Sequence, residues 1–417
     1  MKPFRLYNSR GATTRFGVLV AALLVALFGL LLRQTARAQQ SPDSPLIVHE
    51  WGTFTSIAGD DGNALLWLPV ATKSDLPTFV EHFRNTNVKG GLRGTVRMET
   101  PVIYFYSPRQ VTVAARVSFS SGLITEWYPH ASQVQPADSQ PFLLEPQTTG
   151  SIGWDAITVS PTTNATLRHE TTSSHYYAAR ETSANIVSVQ TSSGKQLEKF
   201  LFYRGASLFA PPLSAKVLAA GQLELKSNAG GGVTIILFER CGDKLGYRVS
   251  SLDSSGAIMD TPSTSGTLDS LYSDFEDVLV AQGLYRDEAH AMLETWHDSW
   301  FGEGSRLFYI VPRQFVDTVL PLSIRPAPTR LSRVFVGRIE LVTHATENAV
   351  EVALLSRDHE TLEKYSRFVL PIVDTIITRY PDATRAERLR QSVAAYYAWR
   401  FASVANHPPT SSGLQQH

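Results

Sequence analysis

The sequence predicts a mainly β protein of the α+β type. We expect an N-terminal antiparallel β-sandwich-like domain, followed by a smaller mixed domain with C-terminal helices. Between residues 46 and 250, short runs rich in β-branched and aromatic residues recur between clusters of Gly, Pro, Ser and Asn. Beyond residue 270, most apolar residues instead follow helical spacing, with a few strand-like runs between them.

Six runs are the clearest predicted strands of the first domain. A meander over residues 222–251 follows them, with turns at residues 228–232 and 242–243. Strands at this density, with turn residues between them, are typical of β-sandwiches. The six runs are LIVHEWGTFTSI, TPVIYFYS, VTVAARVSF, LITEWY, WDAITVS and KFLFY.

A change in composition divides the chain. Residues 251–270 are dense in Ser, Gly and Thr and poor in large apolar residues, which predicts a linker or long loop. We therefore expect a β-rich domain at 39–250 and a mixed α/β domain with C-terminal helices at 271–405. The polar residues at 406–417 predict a disordered tail.

Residues 1–38 have the pattern of a secretory signal peptide. A basic start is followed by the apolar run Phe16–Leu32 and by the small-residue site Ala36-Arg37-Ala38. Cleavage there would make Gln39 the first residue of a periplasmic or secreted protein. The alternative is an uncleaved inner-membrane anchor at residues 16–32, although 17 residues are at the short limit for spanning a bilayer.

Charge and cysteine content exclude several classes of protein. Loss of residues 1–38 removes six of the 38 Lys and Arg residues and none of the 38 Asp and Glu residues, which leaves a net charge near −6. A mildly acidic protein is a poor match for a nucleic-acid partner. The single cysteine, Cys241, excludes an internal disulfide and multi-cysteine metal sites.

The strongest candidate site lies in residues 283–313, where a patterned helix runs into a glycine turn and an apolar strand. His290, Glu294 and His297 are spaced i, i+4 and i+7, so they fall within roughly 60° on one helix face. Two imidazoles and a carboxylate are a normal ligand set for zinc or another divalent transition metal. The alternative is an ordinary polar face turned to water.

The metal hypothesis gives roles to neighbouring residues. Asp298 or Glu303 would act as general base for a metal-bound water, and His49 or His344 would complete the ligand set. The corresponding function is an extracytoplasmic metal-dependent hydrolase. The spacing is not one of the established zinc motifs.

The string His49-Glu50-Trp51-Gly52-Thr53 is the most distinctive one in the first domain. In a strand, His49 and Trp51 share a face, which predicts a packed pair at the mouth of a sheet. The string is not a zincin helix motif, because it lacks the second histidine. Aromatic residues from separate strands either form a polymer-binding platform or belong to the core. These are Trp51, Trp67, Trp127 and Tyr128.

Four strings, HEWGTFTS, RMETPVIYFYS, TEWYP and TWHDSWFGEGSRLFYIVPR, resemble a group of uncharacterised exported bacterial proteins. The resemblance implies export and gives no activity or cofactor. Two function classes follow from the sequence. The first is a binding or structural protein of the cell envelope, with an envelope protein or polymer as ligand, and the alternative is the metal-dependent hydrolase. Whether the protein is an enzyme stays open.

Overall fold

Short apolar runs bounded by turn residues form strands, as the sequence predicts. The computed structural model describes residues 45–69, 76–83, 92–136, 144–171, 174–219 and 221–405. The predicted signal peptide, its alternative as a membrane anchor and the tail at 406–417 lie outside these residues. None of the helices in the described part of the chain is long and apolar enough to cross a membrane.

The strands account for most of the regular structure. They are β1 (Ile47–Ile57), β2 (Glu81–His82), β3 (Val96–Tyr106), β4 (Val111–Ser120), β5 (Gly122–Tyr128), β6 (Gln133–Gln135), β7 (Thr149–Val159), β8 (Val187–Thr191), β9 (Gly194–Glu198), β10 (Phe200–Ser207), β11 (Leu213–Val217), β12 (Leu223–Ser227), β13 (Val233–Cys241), β14 (Lys244–Leu252), β15 (Ala257–Met259), β16 (Gly304–Ile310), β17 (Leu322–Arg325) and β18 (Arg330–Leu341). All six of the clearest predicted runs are among them.

Among the described residues, the helices follow β15, apart from a short 3-10 helix at His175–Arg180. They are α1 (Leu268–Ala281), α2 (Arg286–Trp300), α3 (Arg313–Val319), α4 (His344–Ser356), α5 (His359–Tyr365), α6 (Val369–Arg379) and α7 (Ala383–Ala405), with a second 3-10 helix at Ser366–Phe368. The predicted class, mainly β with helices at the C-terminal end, is confirmed.

Strand β1 lies at the centre of a large mixed sheet. The order of its main path is β14-β13-β16-β18-β1-β3-β10-β5-β7-β4-β17. β1 pairs in parallel with β18 along its whole length and antiparallel with β3. A smaller sheet contains β11, β12 and β15.

The structure differs from the predicted division into domains at 39–250 and 271–405. Strands β16 and β18 come from the second predicted domain, yet they lie inside the same sheet as β1 and β3. Residues 251–270 hold the end of β14, strand β15 and the start of α1. The described residues from Leu46 onward therefore belong to one compact unit, because the parallel partner of β1 is β18, which comes from the second predicted domain.

The two faces of β1 pack into different apolar clusters. Val48 and Phe54 face a core formed mainly by strands, whereas Trp51 faces a core covered by α1 and α2. At the end of the strand, Ile57 packs against the C-terminal helices in a third cluster. One face of the sheet is thus covered by α2 along part of its length and by the C-terminal helices further on.

A close approach of backbones fixes the middle of β1. The register between β1 and β3 shifts between Trp51 and Thr53, and Thr100 on β3 has a positive φ of 46°. A Cβ atom on Gly52 would lie 2.7 Å from the Phe335 ring and 3.1 Å from the Pro101 backbone. The HEWGTFT string therefore needs its glycine for packing at a β-bulge.

We predict that Gly52→Ala lowers the free energy of unfolding by about 1–3 kcal/mol, because overpacking at a buried backbone contact forces neighbours to move. Chemical denaturation would measure the loss. Gly231→Ala is the matched control, since a Cβ there meets nothing within 4 Å. Equal stability of the two variants would contradict this account of the bulge.

Candidate functional site

The structure places the predicted metal-binding residues on the seam between α1 and α2. His290 Nδ1 lies 2.8 Å from Glu276 Oε1, and His297 Nδ1 lies 2.5 Å from the Tyr272 hydroxyl. Both histidines and Glu294 are exposed to solvent. The common helix face is confirmed, but two of its side chains bond to α1.

These residues are not brought together as a ligand set. Within the described part of the chain, no three His, Cys, Asp or Glu side chains are arranged to hold a metal ion. The physical reason is that α1 lies beside this face and supplies a separate partner to each histidine. Glu303 instead accepts a hydrogen bond from Gly242 N at 3.0 Å, and Asp298 is exposed at the rim of a cavity.

His49 is held in a buried network and has no free nitrogen for a metal. Its Nδ1 lies 2.7 Å from Glu288 Oε2, and Arg330 Nη2 lies 2.9 Å from its Nε2. Because arginine only donates, Nε2 accepts and Nδ1 carries the proton shared with Glu288. Tyr106 donates to the other oxygen of Glu288 at 2.6 Å. The network ties the first turn of α2 to β1 and β3.

His344, the other predicted ligand, lines a separate cavity with Glu347, Glu351 and Tyr380. His344 is the first residue of α4 and pairs with Glu347 at 3.1 Å. Cys241 is exposed at the end of β13. The predicted aromatic platform is not exposed, since its four members are at most 7% exposed, which confirms the core interpretation. They are Trp51, Trp67, Trp127 and Tyr128.

A cavity of about 340 Å³ lies between the end of α2, the main sheet and the C-terminal helices. We call it the arginine pocket, because seven of its lining side chains are cationic and three are acidic. The cationic residues are Arg97, Arg204, Arg306, Arg338, Lys364, Arg367 and Arg400, and the acidic residues are Glu99, Asp298 and Glu363.

The floor of the arginine pocket is the helix-covered face of the sheet beyond Trp51. Thr55 of β1 lies between Arg338 of β18 and Arg97 of β3 in the strand register. Residues that alternate along a strand share a face, so this face changes from apolar to charged as β1 proceeds. The wall opposite the floor comes from the C-terminal helices, including Arg367 and Arg400.

The buried carboxylate of Glu340 pairs with two arginines of the pocket lining. Glu340 lies 2.9 Å from Arg306 Nε and 2.8 Å from Arg338 Nη2. All three side chains are less than 9% exposed. Burial alone would raise the pKa of Glu340, but the two guanidinium groups hold it below its ordinary value of 4.5.

A second carboxylate, that of Glu99, pairs with two further arginines of the pocket lining. Arg367 Nη2 forms an ion pair with Glu99, and Arg97 Nε lies 3.9 Å from it. The Arg367 guanidinium also lies over the rings of Trp67 and Phe368, at 5.4 and 5.1 Å from their centroids. Burial is the main cause that lowers the pKa of Arg367 to about 10, and neighbouring arginines contribute.

Residues with positive φ, and buried polar atoms without a partner among the described residues, also occur at this pocket. Ser366, in the lining, has a φ of 48°, and Thr100, which accepts a hydrogen bond from the lining residue Arg204, has a φ of 46°. Strained residues other than glycine cluster at functional sites. Trp296 and Glu99 both line the cavity, and Trp296 Nε1 and the two carboxylate oxygens of Glu99 are buried without a hydrogen-bond partner among the described residues, although Glu99 also forms ion pairs.

We predict that Glu340→Gln lowers the free energy of unfolding at pH 7 by about 3–5 kcal/mol, because Arg306 and Arg338 lose their buried counter-charge. The pKa of Glu340 is lowered in the folded state. Its stabilising contribution is therefore present above pH 4.5 and is lost as the pH falls through the folded-state pKa.

Denaturation curves of wild type and variant between pH 7 and pH 3 would test this. The difference should shrink below pH 4.5, and a difference that stays constant to pH 3 would refute it. Glu224→Gln is the control, because Glu224 pairs with the exposed Lys226 at the surface. We expect it to cost less than about 1 kcal/mol.

Comparison with known proteins gives no family for this chain. No family model matches it, and no curated protein matches it. One solved structure that matches is described as "Fcho1 Mu homology domain (Danio Rerio) with bound Eps15 peptide". The match has 9% identity and a TM-score of 0.29, and it covers 73% of this chain and 99% of that chain. A similarity this low carries no argument about fold or function.

Proposed function

We propose that this chain is a binding protein that holds a small negatively charged ligand in the arginine pocket. The observation that carries the proposal is the convergence of seven cationic side chains on one cavity of about 340 Å³. That volume is at the small end of the range for small-molecule sites, about 300–1,000 Å³. An anionic group on an envelope polymer has the same chemistry.

The energetics of burial support an anionic ligand. Taking a guanidinium out of water costs several kcal/mol unless a counter-charge and hydrogen bonds replace the water. Here Glu340 is shared by Arg306 and Arg338, and Glu99 is shared by Arg97 and Arg367, with Glu126 as a further partner of Arg97 at 3.8 Å. A bound anion would supply counter-charge where one carboxylate now serves two cations.

The arginines are also fixed in place before a ligand arrives. Arg306 donates to the carbonyl oxygens of Gly302 and Glu303, each at 2.7 Å, in addition to its pair with Glu340. Arg338 and Arg367 both lie over the ring of Phe368. Side chains held in this way lose little conformational freedom on binding, which favours affinity.

Binding fits the lining better than catalysis does. Ser299 Oγ accepts a hydrogen bond from Arg338, and Ser366 Oγ accepts one from Arg400. Within the described lining, neither hydroxyl is bonded to an imidazole or carboxylate that would activate it as a nucleophile. The pattern of residues 1–38 supports a site of action outside the cytoplasm. With either a cleaved signal or an anchor at 16–32, we expect the pocket on the outer side of the inner membrane.

We predict that citrate, phosphate or sulfate raises the thermal midpoint of the purified protein by several degrees relative to chloride at equal ionic strength. A ligand at 100 times its Kd adds about 2.7 kcal/mol to the stability of the folded state. Differential scanning calorimetry at several anion concentrations would measure the shift.

The double variant Glu99→Gln/Arg367→Gln removes one buried charge of each sign and should lose most of the anion-dependent shift. Arg248→Gln, at an exposed position on β14, should keep it. The proposed site is refuted if no anion raises the thermal midpoint more than chloride does. It is also refuted if the anions raise the midpoint of the double variant as much as that of wild type.

A further inference from the structure

We infer that the ligand presents a tetrahedral oxyanion, a phosphate or sulfate group, to Arg97, Arg338 and Arg367. The inference rests on the proposed function and names the chemical class of the group that the arginine pocket accepts.

The three guanidinium groups belong to three different elements. Arg338 and Arg97 lie on strands β18 and β3, on either side of Thr55. Neighbouring strands are about 4.8 Å apart, so their Cα atoms are separated by roughly 10 Å across β1. Arg367 comes from the 3-10 helix at Ser366–Phe368 and forms an ion pair with Glu99 on β3. Donors therefore surround the cavity from two sides of the floor and from the opposite wall.

Arg97 and Arg367 make few hydrogen bonds with the described residues. An arginine has five N–H donors. Within the described part of the chain, Arg97 makes one hydrogen bond, from Nη1 to Pro69 O at 2.7 Å. Its contacts with Glu99 and Glu126, at 3.9 and 3.8 Å, are longer than hydrogen bonds. Arg367 has the ion pair of Nη2 with Glu99.

The shape of the acceptor decides between classes of anion. A planar carboxylate has two oxygens in one plane, and a single arginine fork satisfies both. A phosphate ester has three terminal oxygens and a charge of about −1.5 to −2 at pH 7. Donors that enter from three directions match the tetrahedral group.

The surroundings of Arg367 agree with this assignment. Burial and the nearby positive charges of Arg97 and Arg338 lower its pKa, because they disfavour the protonated guanidinium. An oxyanion among the three side chains would reverse that effect and would favour the protonated state of each one.

Isothermal titration calorimetry with phenyl phosphate, phenyl sulfate and benzoate at fixed ionic strength would test the inference, because the three probes share one aryl group. We expect the tighter of the two oxyanions to bind at least tenfold more tightly than benzoate. Benzoate binding equally well or better would overturn the tetrahedral assignment and leave the proposed function standing. If none of the three binds, the proposed function falls as well.

The pH dependence of binding distinguishes a phosphate ligand from a sulfate ligand. The second pKa of a phosphate ester is near 6. A phosphate site should therefore bind phenyl phosphate severalfold more tightly at pH 7.5 than at pH 5, whereas the binding of phenyl sulfate should change little. If phenyl phosphate binds more tightly and shows that pH dependence, the ligand group is a phosphate. If phenyl sulfate binds more tightly and its affinity does not change with pH, the ligand group is a sulfate.

Arg367→Lys tests the role of the planar guanidinium group, because the variant keeps a positive charge beside Glu99 and removes the paired N–H donors. We expect it to weaken the better oxyanion about tenfold and benzoate less than threefold. Arg248→Gln should bind all three probes as wild type does. Unchanged discrimination in Arg367→Lys would overturn the inference.

Discussion

The parallel pairing of β1 with β18 is the constraint on which the rest of the structure depends. It joins residues 47–57 to residues 330–340, so the first and last strands of the chain order meet inside one sheet. Buried bonds reinforce the pairing, since Glu50 on β1 accepts from Arg333 on β18 and from Tyr203 on β10, each at 2.5 Å. Because β3 occupies the other edge of β1, side chains distant in sequence become neighbours across three strands.

The arginine pocket is a consequence of that pairing. On the face covered by helices, Trp51 lies in an apolar cluster, and further along the strand Thr55 lies between two buried arginines. An apolar surface at that position would pack against the C-terminal helices without leaving a polar cavity. Instead the fold keeps buried guanidinium groups there, with carboxylates and aromatic rings beside them. Burying charged groups is costly, and their placement around a cavity supports the proposed anion site.

Local pattern predicts the elements well and predicts their partners poorly. Alternation placed His49 and Trp51 on one face of a strand, and helical spacing placed His290, Glu294 and His297 on one face of α2. Neither pattern reveals what lies opposite. The carboxylate beside His49 comes from Glu288, and α1 supplies the partners of His290 and His297. The pocket arginines come from separate strands and a 3-10 helix, and they form no local motif, so only the tertiary pairing brings them together.

A crystal structure of the protein with selenate, a tetrahedral oxyanion with an anomalous X-ray signal, would test the central claim most directly. We predict an anomalous peak inside the arginine pocket, within about 4 Å of the guanidinium groups of Arg97, Arg338 and Arg367. A pocket that stays empty at saturating selenate, with peaks only on the outer surface, would contradict the account. In that case the buried arginines would serve only to join the sheet to the C-terminal helices.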